Sequence, residues 1–154
     1  MAARTLVRTA AAVTTTAVIG GLGTDVRSGW YARLDKPAWQ PPGWAFGPAW
    51  TTLYALMAVG AARTIDRLPA DEAREFEAAF GANLVLNGGW NWLFFKAHRP
   101  DLALAEIAVL EVSCLDLVRR SAKVDRAAAA MLTPYALWVG FASTLNASIW
   151  RRNR

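Results

Sequence analysis

Five apolar runs divide this chain and limit what it can fold into. They lie at about Thr5 to Leu22, Pro48 to Ile65, Phe76 to Phe95, Leu102 to Val118 and Ala127 to Trp150. Each is about 17 to 24 residues long, the length a helix needs to cross a hydrocarbon layer about 30 Å thick. Backbone groups in lipid must be satisfied within the segment, so the runs predict helices and not strands. The chain is 55% hydrophobic and only 19% charged, and its charges gather between the apolar runs. With 154 residues there is room for one domain. The expectation is an all-α integral membrane protein, residues 1-154 forming a single multi-pass domain of five transmembrane helices.

The boundaries carry matching punctuation. Pro48 is expected at the start of the second helix, where a missing N–H costs little. Asp71 and Glu72 suit a helix N-terminus, where the helix dipole favours negative charge. Pro100 and Asp101 open the fourth run, and Arg119, Arg120, Lys123 and Arg126 fill the turn before the fifth. A basic start followed by an apolar run also fits a secretory signal. Here the run leads into Gly20-Gly21-Leu22-Gly23 and Asp25 with no small-residue cleavage pattern, so a retained first helix is the reading. Orientation is not legible. The N-terminus and the loops sharing its side carry nine Lys and Arg, and the other side carries eight.

The net charge of +5 invites a nucleic-acid reading. The basic residues flank apolar segments instead of forming a stripe, so they read as head-group contacts and helix-end anchors. The single cysteine, Cys114, excludes an internal disulfide, and one histidine makes an imidazole metal centre implausible. His98, in a short turn beside Lys96 and Arg99, reads as a surface residue.

The first loop is unusual. Trp30 to Tyr54 holds four of the eight tryptophans and four of the seven prolines. Proline fixes φ and removes a donor, so the loop is expected to be stiff and ordered. Indoles are large amphipathic plates that favour membrane interfaces and flat ligands. A rigid aromatic loop running into an apolar helix predicts a lid, Trp30 to Gly47, over a pocket for a flat, greasy molecule.

Polar residues inside the runs are the other candidates for function. Asn83, Asn87 and Asn91 recur every four residues and so share a helix face. They serve either as interhelical hydrogen bonds or, at Asn87 above all, as contacts to a ligand cavity. Glu106, Glu111 and Asp116 are spaced by five, a step of about 140°, so they cannot share one face. Pairing with Arg or Asn, or burial against another subunit, is the preferred reading over a proton or ligand contact. Pro134 should kink or locally open the last helix. Tyr135 and Trp138, three apart, are neighbours that either pack together or line the cavity under the lid. Trp150-Arg151-Arg152 reads as an interface anchor. Small residues four apart, as in Ala17/Gly21, Ala58/Ala62 and Ala78/Ala82, permit close helix approach.

Three separated blocks resemble the tryptophan-rich sensory protein and translocator protein family (TspO/MBR, peripheral benzodiazepine receptor). They are Trp30-Tyr31 through Lys36-Pro37-x-Trp39-x-Pro41-Pro42 and Phe46 to Trp50-x-x-Leu53-Tyr54; Asn87-x-x-Trp90 with Phe94-Phe95; and Pro134-Tyr135-x-x-Trp138 with Leu145-Asn146 and Trp150-Arg151. The resemblance spans roughly Thr5 to Arg152. It implies a five-helix bundle, often a homodimer, that binds porphyrins such as protoporphyrin IX or haem, without a covalent cofactor and with no metal site. The ligand contacts it implies are Trp30, Trp39, Trp50, Tyr54, Asn87, Trp90, Tyr135, Trp138 and Ala142. Trp50 and Trp138 become catalytic residues only if the porphyrin is degraded in light. The sterol-recognition pattern expected near the end of the last helix lacks its tyrosine here, in Leu145 to Arg151. The leading functional expectation is porphyrin binding for sensing, sequestration or transport in a cell membrane, with lipid as the surrounding partner and no role for nucleic acid. A light-dependent porphyrin-degrading enzyme is the alternative, and a transporter working through a mobile helix ranks last.

Overall fold

The structure, a computed structural model, describes all 154 residues. It is all-helical: α1 (Ala3–Gly23), α2 (Gly29–Arg33), α3 (Gly43–Ile65), α4 (Ala70–Asn91), a π-helical turn (Trp92–Lys96), α5 (Pro100–Ala122) and α6 (Arg126–Arg152). Five helices are long and one, α2, is a single turn within the first loop. By length and composition, α1 and α6 are apolar enough to cross a membrane. The other three long helices are diluted by tryptophan, glycine, asparagine and carboxylates.

Each long helix starts before its apolar run, and α1, α5 and α6 also end after theirs, as at Arg119–Ala122. By contrast, α3 ends with its run at Ile65, and α4 gives way to the π-helical turn after Asn91. Pro48 is the clearest correction. It lies inside α3, which begins at Gly43, and not at its start. Lacking an N–H, it leaves the carbonyl of Trp44 without a helical donor, a tolerable loss where Trp44 is exposed. The last turn of the expected lid is therefore helical. Similarly, α6 continues unbroken through Pro134.

Small residues and short polar bridges set the helix spacing. Thr9 on α1 donates through Oγ1 to the carbonyl of Ala58 on α3 (2.8 Å). Thr64 of α3 donates to Ser121 Oγ of α5 (2.8 Å). Gly60 faces α6: a Cβ there would sit 3.1 Å from Leu132 Cγ and 3.2 Å from the carbonyl of Ala128. Around these contacts Met57, Ala61, Phe76, Leu117 and Leu132 form a dry core.

The ends are fastened by charge. Asp125 accepts from the backbone N–H groups of Ala127 and Ala128 and pairs with Arg63 (2.9 Å) and Arg67 (2.6 Å). It thus caps α6 while holding the end of α3. Asp66 accepts from Thr5 Oγ1 (2.6 Å) and from the backbone N–H of Ala2, tying the start of α1 to the end of α3. At the other end Arg99 grips Asp101 through two donors (2.9 and 2.6 Å). That hydrogen bonding, reinforced by the guanidinium charge, holds the Asp101 carboxyl at about 2.

Two outcomes are expected. Gly60→Val forces α3 from α6 and lowers stability in detergent by about 2 kcal/mol, the scale of overpacking. Gly47→Ala, with no atom within 4 Å of the added carbon, leaves it unchanged. In an acid titration, the Arg99–Asp101 contribution is complete above the ordinary carboxylate value of about 4 and disappears as the pH falls through about 2. An NMR titration of Asp101 reads this directly.

Candidate functional site

A cavity of about 700 Å³ opens within the lid half of the bundle. Its floor is made by α3, α4, α5 and α6, with Trp50, Tyr54, Asn87, Trp90, Ile107, Trp138 and Ala142 facing it. Its upper wall is made by the first loop and its neighbours, with Tyr31, Gln40, Phe46, Phe94 and Phe95. Among the lining residues Gly21, Thr24, Val26, Gly43 and Thr51 are exposed, so the mouth lies between the end of α1 and the start of α3. No lysine, arginine, histidine, aspartate or glutamate lines it.

The indoles are held by edge, tilted and stacked ring contacts. Trp50 meets Trp138 edge to face with centroids 6.3 Å apart, and lies tilted against Tyr54 at 5.2 Å. Phe46 meets the Trp138 ring edge-on at 5.9 Å. On the other wall Trp90 stacks on Phe94 at 4.9 Å. The Trp90 Nε1–H donates to Asn146 Oδ1 (3.0 Å), and Asn146 in turn donates to the carbonyl of Pro100 (2.9 Å). Such geometries suit the ring quadrupole and fix each plate in one orientation.

Behind the wall runs a continuous hydrogen-bond chain. Tyr54 Oη donates to Asn87 Oδ1 (2.7 Å), and Asn87 Nδ2 donates to Tyr135 Oη (3.1 Å). Tyr135 donates to Asn83 Oδ1 (3.0 Å). Asn83 Nδ2 then reaches Ser113 Oγ (3.1 Å) and Cys114 Sγ (3.4 Å) on α5. The asparagine face predicted from spacing is therefore split in use. Asn83 is an interhelical linker, while Asn87 does that work and also lines the cavity. Asn91 lines it too, accepting from Thr24 Oγ1 (2.9 Å).

Six of the nine predicted contacts line the cavity: Trp50, Tyr54, Asn87, Trp90, Trp138 and Ala142. The other three do not. Trp30 turns away to stack on His98 (4.4 Å, 15° between planes). Trp39 is half-exposed and meets Phe141 edge-on at 5.8 Å. Tyr135 is fully buried one hydrogen bond behind the wall. His98 is exposed, as expected, with φ of 53° closing the turn that carries it to Trp30. Sequence reasoning missed Tyr31, Phe46, Phe94 and Phe95 as wall residues, though all sit in the aromatic blocks. It also missed Trp92, whose Nε1–H donates to the carbonyl of Ile19 (3.1 Å) while its ring fills the space beside Gly23.

The lid is tied down at several points. Asp35 and Asn153 exchange two hydrogen bonds (2.9 and 3.0 Å), and Arg152 pairs with Asp35 (3.3 Å). Lys96 pairs with Asp25 (3.6 Å). The carboxylates of α5 behave differently from one another. Asp116 pairs with Arg119 and Arg120 as anticipated. Both Glu106 oxygens and Glu111 Oε2 are buried with no Arg or Asn partner within the chain, and Glu111 lies against Gly140 of α6.

Tyr135→Phe removes a hydroxyl that both Asn83 and Asn87 use. The expected cost is about 1–2 kcal/mol in detergent unfolding, the scale for stranding a buried polar group.

The chain matches the TspO/MBR family over residues 9–151. It is 37% identical to Protein CrtK of Rhodobacter capsulatus over 125 residues, which cover 80% of this chain and 78% of that protein. It is 35% identical to the tryptophan-rich protein TspO of Chlorobaculum tepidum, with 82% of this chain and 80% of the relative aligned. It is 34% identical to the translocator protein of Homo sapiens, with 80% of this chain and 75% of the relative aligned. With that coverage and identity, the chain belongs to the TspO/MBR family.

Proposed function

We propose that this protein binds porphyrins and similar flat hydrophobic ligands in the lid-end cavity, serving in sensing, sequestration or transport. The observation that carries the reading is an uncharged cavity of about 700 Å³ walled by Trp50, Trp90 and Trp138. Cavities for small molecules are typically about 300–1,000 Å³, mostly apolar, with a few placed polar groups. A planar macrocycle gains most where its faces meet aromatic plates and its edges meet aliphatic walls. Each predicted contact keeps a part in this reading: Trp50, Tyr54, Asn87, Trp90, Trp138 and Ala142 at the ligand, Tyr135 as the support of Asn87, and Trp30 and Trp39 as parts of the lid.

In the same reading the five long helices all cross the bilayer as one multi-pass domain, with α2 in the lid. Small residues on the outer face of α4, among them Ala78, Gly81 and Ala82, suit a homodimer contact. Binding, not catalysis, is the role assigned. A second reading has one observation in its favour: Trp50 and Trp138 meet at 6.3 Å on the cavity wall. There, light and oxygen acting on a bound pigment supply the chemistry, and the indoles give up an electron.

Purified protein in neutral detergent, titrated in the dark with protoporphyrin IX, is expected to show saturable quenching of tryptophan fluorescence. Trp138→Ala should weaken binding about tenfold, as loss of a large aromatic anchor does. Absence of saturable quenching in the wild-type protein overturns the assignment. Under illumination, a new pigment spectrum that requires protein and is lost in Trp50→Phe with binding intact selects the degradative reading. Bleaching equal to that of free porphyrin selects binding alone.

A further inference from the structure

His98 is the one histidine of the chain, and it lies flat against the lid. Its imidazole stacks on the Trp30 indole of α2, with centroids 4.4 Å apart and 15° between planes. The turn that presents it has φ of 53° at His98, a left-handed conformation that His and Asn adopt more readily than most residues. Trp30 meets Phe94 edge-on at 5.6 Å, and Phe94 lines the cavity and stacks on Trp90. A row of four rings therefore runs from an exposed imidazole, through the lid helix, to the cavity wall.

Charge decides how strongly the first pair holds. A neutral imidazole laid parallel on an indole gains little from the ring quadrupoles, which favour edge and offset contacts. A protonated one sets a positive plate over the negative face of the indole, the best aromatic partner for a cation. Imidazole is also the side chain that ordinarily changes charge between about pH 5 and 8, where carboxylates, ammonium and guanidinium groups keep theirs. The charges around His98 leave room for that proton. On its own turn, Lys96 is paired with Asp25 of the first loop (3.6 Å), and Arg99 with Asp101 at the start of α5 (2.6 Å). Lys36 of the lid is turned onto the Tyr31 ring (4.6 Å), and Asp35 is paired with Arg152 at the end of α6 (3.3 Å). Arg33, three residues after Trp30, is an exposed cation without a carboxylate partner, and salt screens its repulsion. The N-terminal ammonium lies at the opposite end of the bundle, against Asp66 (4.0 Å).

From this we propose that His98 is a pH-dependent latch on the lid. Protonated, it holds α2 against the turn between the π-helical segment and α5. Deprotonated, it lets α2 open more often. Trp30 and Tyr31 both rest on Phe94, so each opening loosens one wall of the cavity.

The test is hydrogen exchange of the lid amides in detergent at 0.15 M salt, pulsed at pH 5.5 and pH 7.5 without ligand. Rates are referred to those of unstructured peptides at each pH, so that protection reports opening alone. The reporters are the N–H groups of Tyr31, Ala32 and Leu34, which donate to Ser28 Oγ (3.2 Å), the Ser28 carbonyl (3.0 Å) and the Tyr31 carbonyl (3.3 Å). Wild-type protection should be about two- to fivefold greater at pH 5.5, the range for a cation over an exposed indole. His98→Asn should abolish the difference, because Asn is neutral and tolerates the same left-handed backbone. His98→Arg, a planar cation at both pH values, should give the higher protection at both. Equal protection at the two pH values in the wild type overturns the proposal, as does a difference that survives His98→Asn. A change of the same size in the amides of α6 reports global stability and also overturns it. No ligand is present, so failure here leaves the porphyrin reading untouched.

Discussion

The cavity depends on one buried polar chain. Tyr54, Asn87, Tyr135 and Asn83 link α3, α4 and α6 and continue to Ser113 and Cys114 on α5. Four long helices are thereby fixed in register by directional bonds at a level where apolar contacts alone would allow sliding. Trp50 is one helical turn from Tyr54, and Trp138 is three residues from Tyr135, so both indoles inherit their positions from this chain. A dry apolar bundle would close on itself. Here the hydroxyls and amides satisfy one another within the wall, and the aromatic plates stand off from it to leave the cavity open.

The lid is set by a different logic. It is held by its ends and flanks, through the Asp35–Asn153 exchange, the Lys96–Asp25 pair and the stack of Trp30 on His98. All of these lie at the lid end of the bundle, and none uses a residue that lines the cavity floor. Ligand contacts and lid anchors are therefore carried by separate residues. The π-helical turn Trp92–Lys96 serves the same end of the bundle. The extra residue per turn brings Phe94 and Phe95 to the cavity and leaves Lys96 on the outer side, next to Asp25.

Much of this was legible in the residues. Apolar length gave the long helices, and four-residue spacing gave the asparagine face. What failed did so for physical reasons. Helix limits were set too short at Pro48 because proline was read as a start signal. A proline in the second turn of a helix whose facing carbonyl is exposed loses little, so its position in the turn is not fixed by sequence. Trp30 and Trp39 join the contact set through the family resemblance, which matches positions in the aromatic loop and does not say which way their rings point in this chain. Their partners, His98 and Phe141, lie far along the chain and could not be anticipated from local spacing. Tyr135 was placed at the ligand, whereas its hydroxyl is used by two asparagines before any ligand could reach it. Phe46 and Phe94 were visible in the same aromatic blocks, but nothing in their spacing set them above their neighbours.

The three less apolar long helices follow from the same argument. Hydropathy alone singles out α1 and α6. The residues that pull down the average of α4 and α5 are of two kinds. Charged residues at the helix ends, such as Asp71, Glu72, Arg119 and Arg120, lie outside the apolar runs. Interior polar residues, Asn83, Asn87 and Ser113, are turned inward: Asn83 bonds Ser113, and Tyr135 links Asn83 to Asn87. A polar side chain inside a bundle is tolerated when its partner is also inside, so the deficit in hydropathy measures how much of the helix is committed to internal recognition. Glu106 and Glu111 stand outside that balance. Their buried oxygens have no partner, and Glu111 lies against Gly140 of α6. With Gln40 Oε1 in the first loop, these carboxylates are the buried side-chain oxygens that the bundle leaves without a partner, and they mark α5 as the long helix whose polar groups are least answered from within.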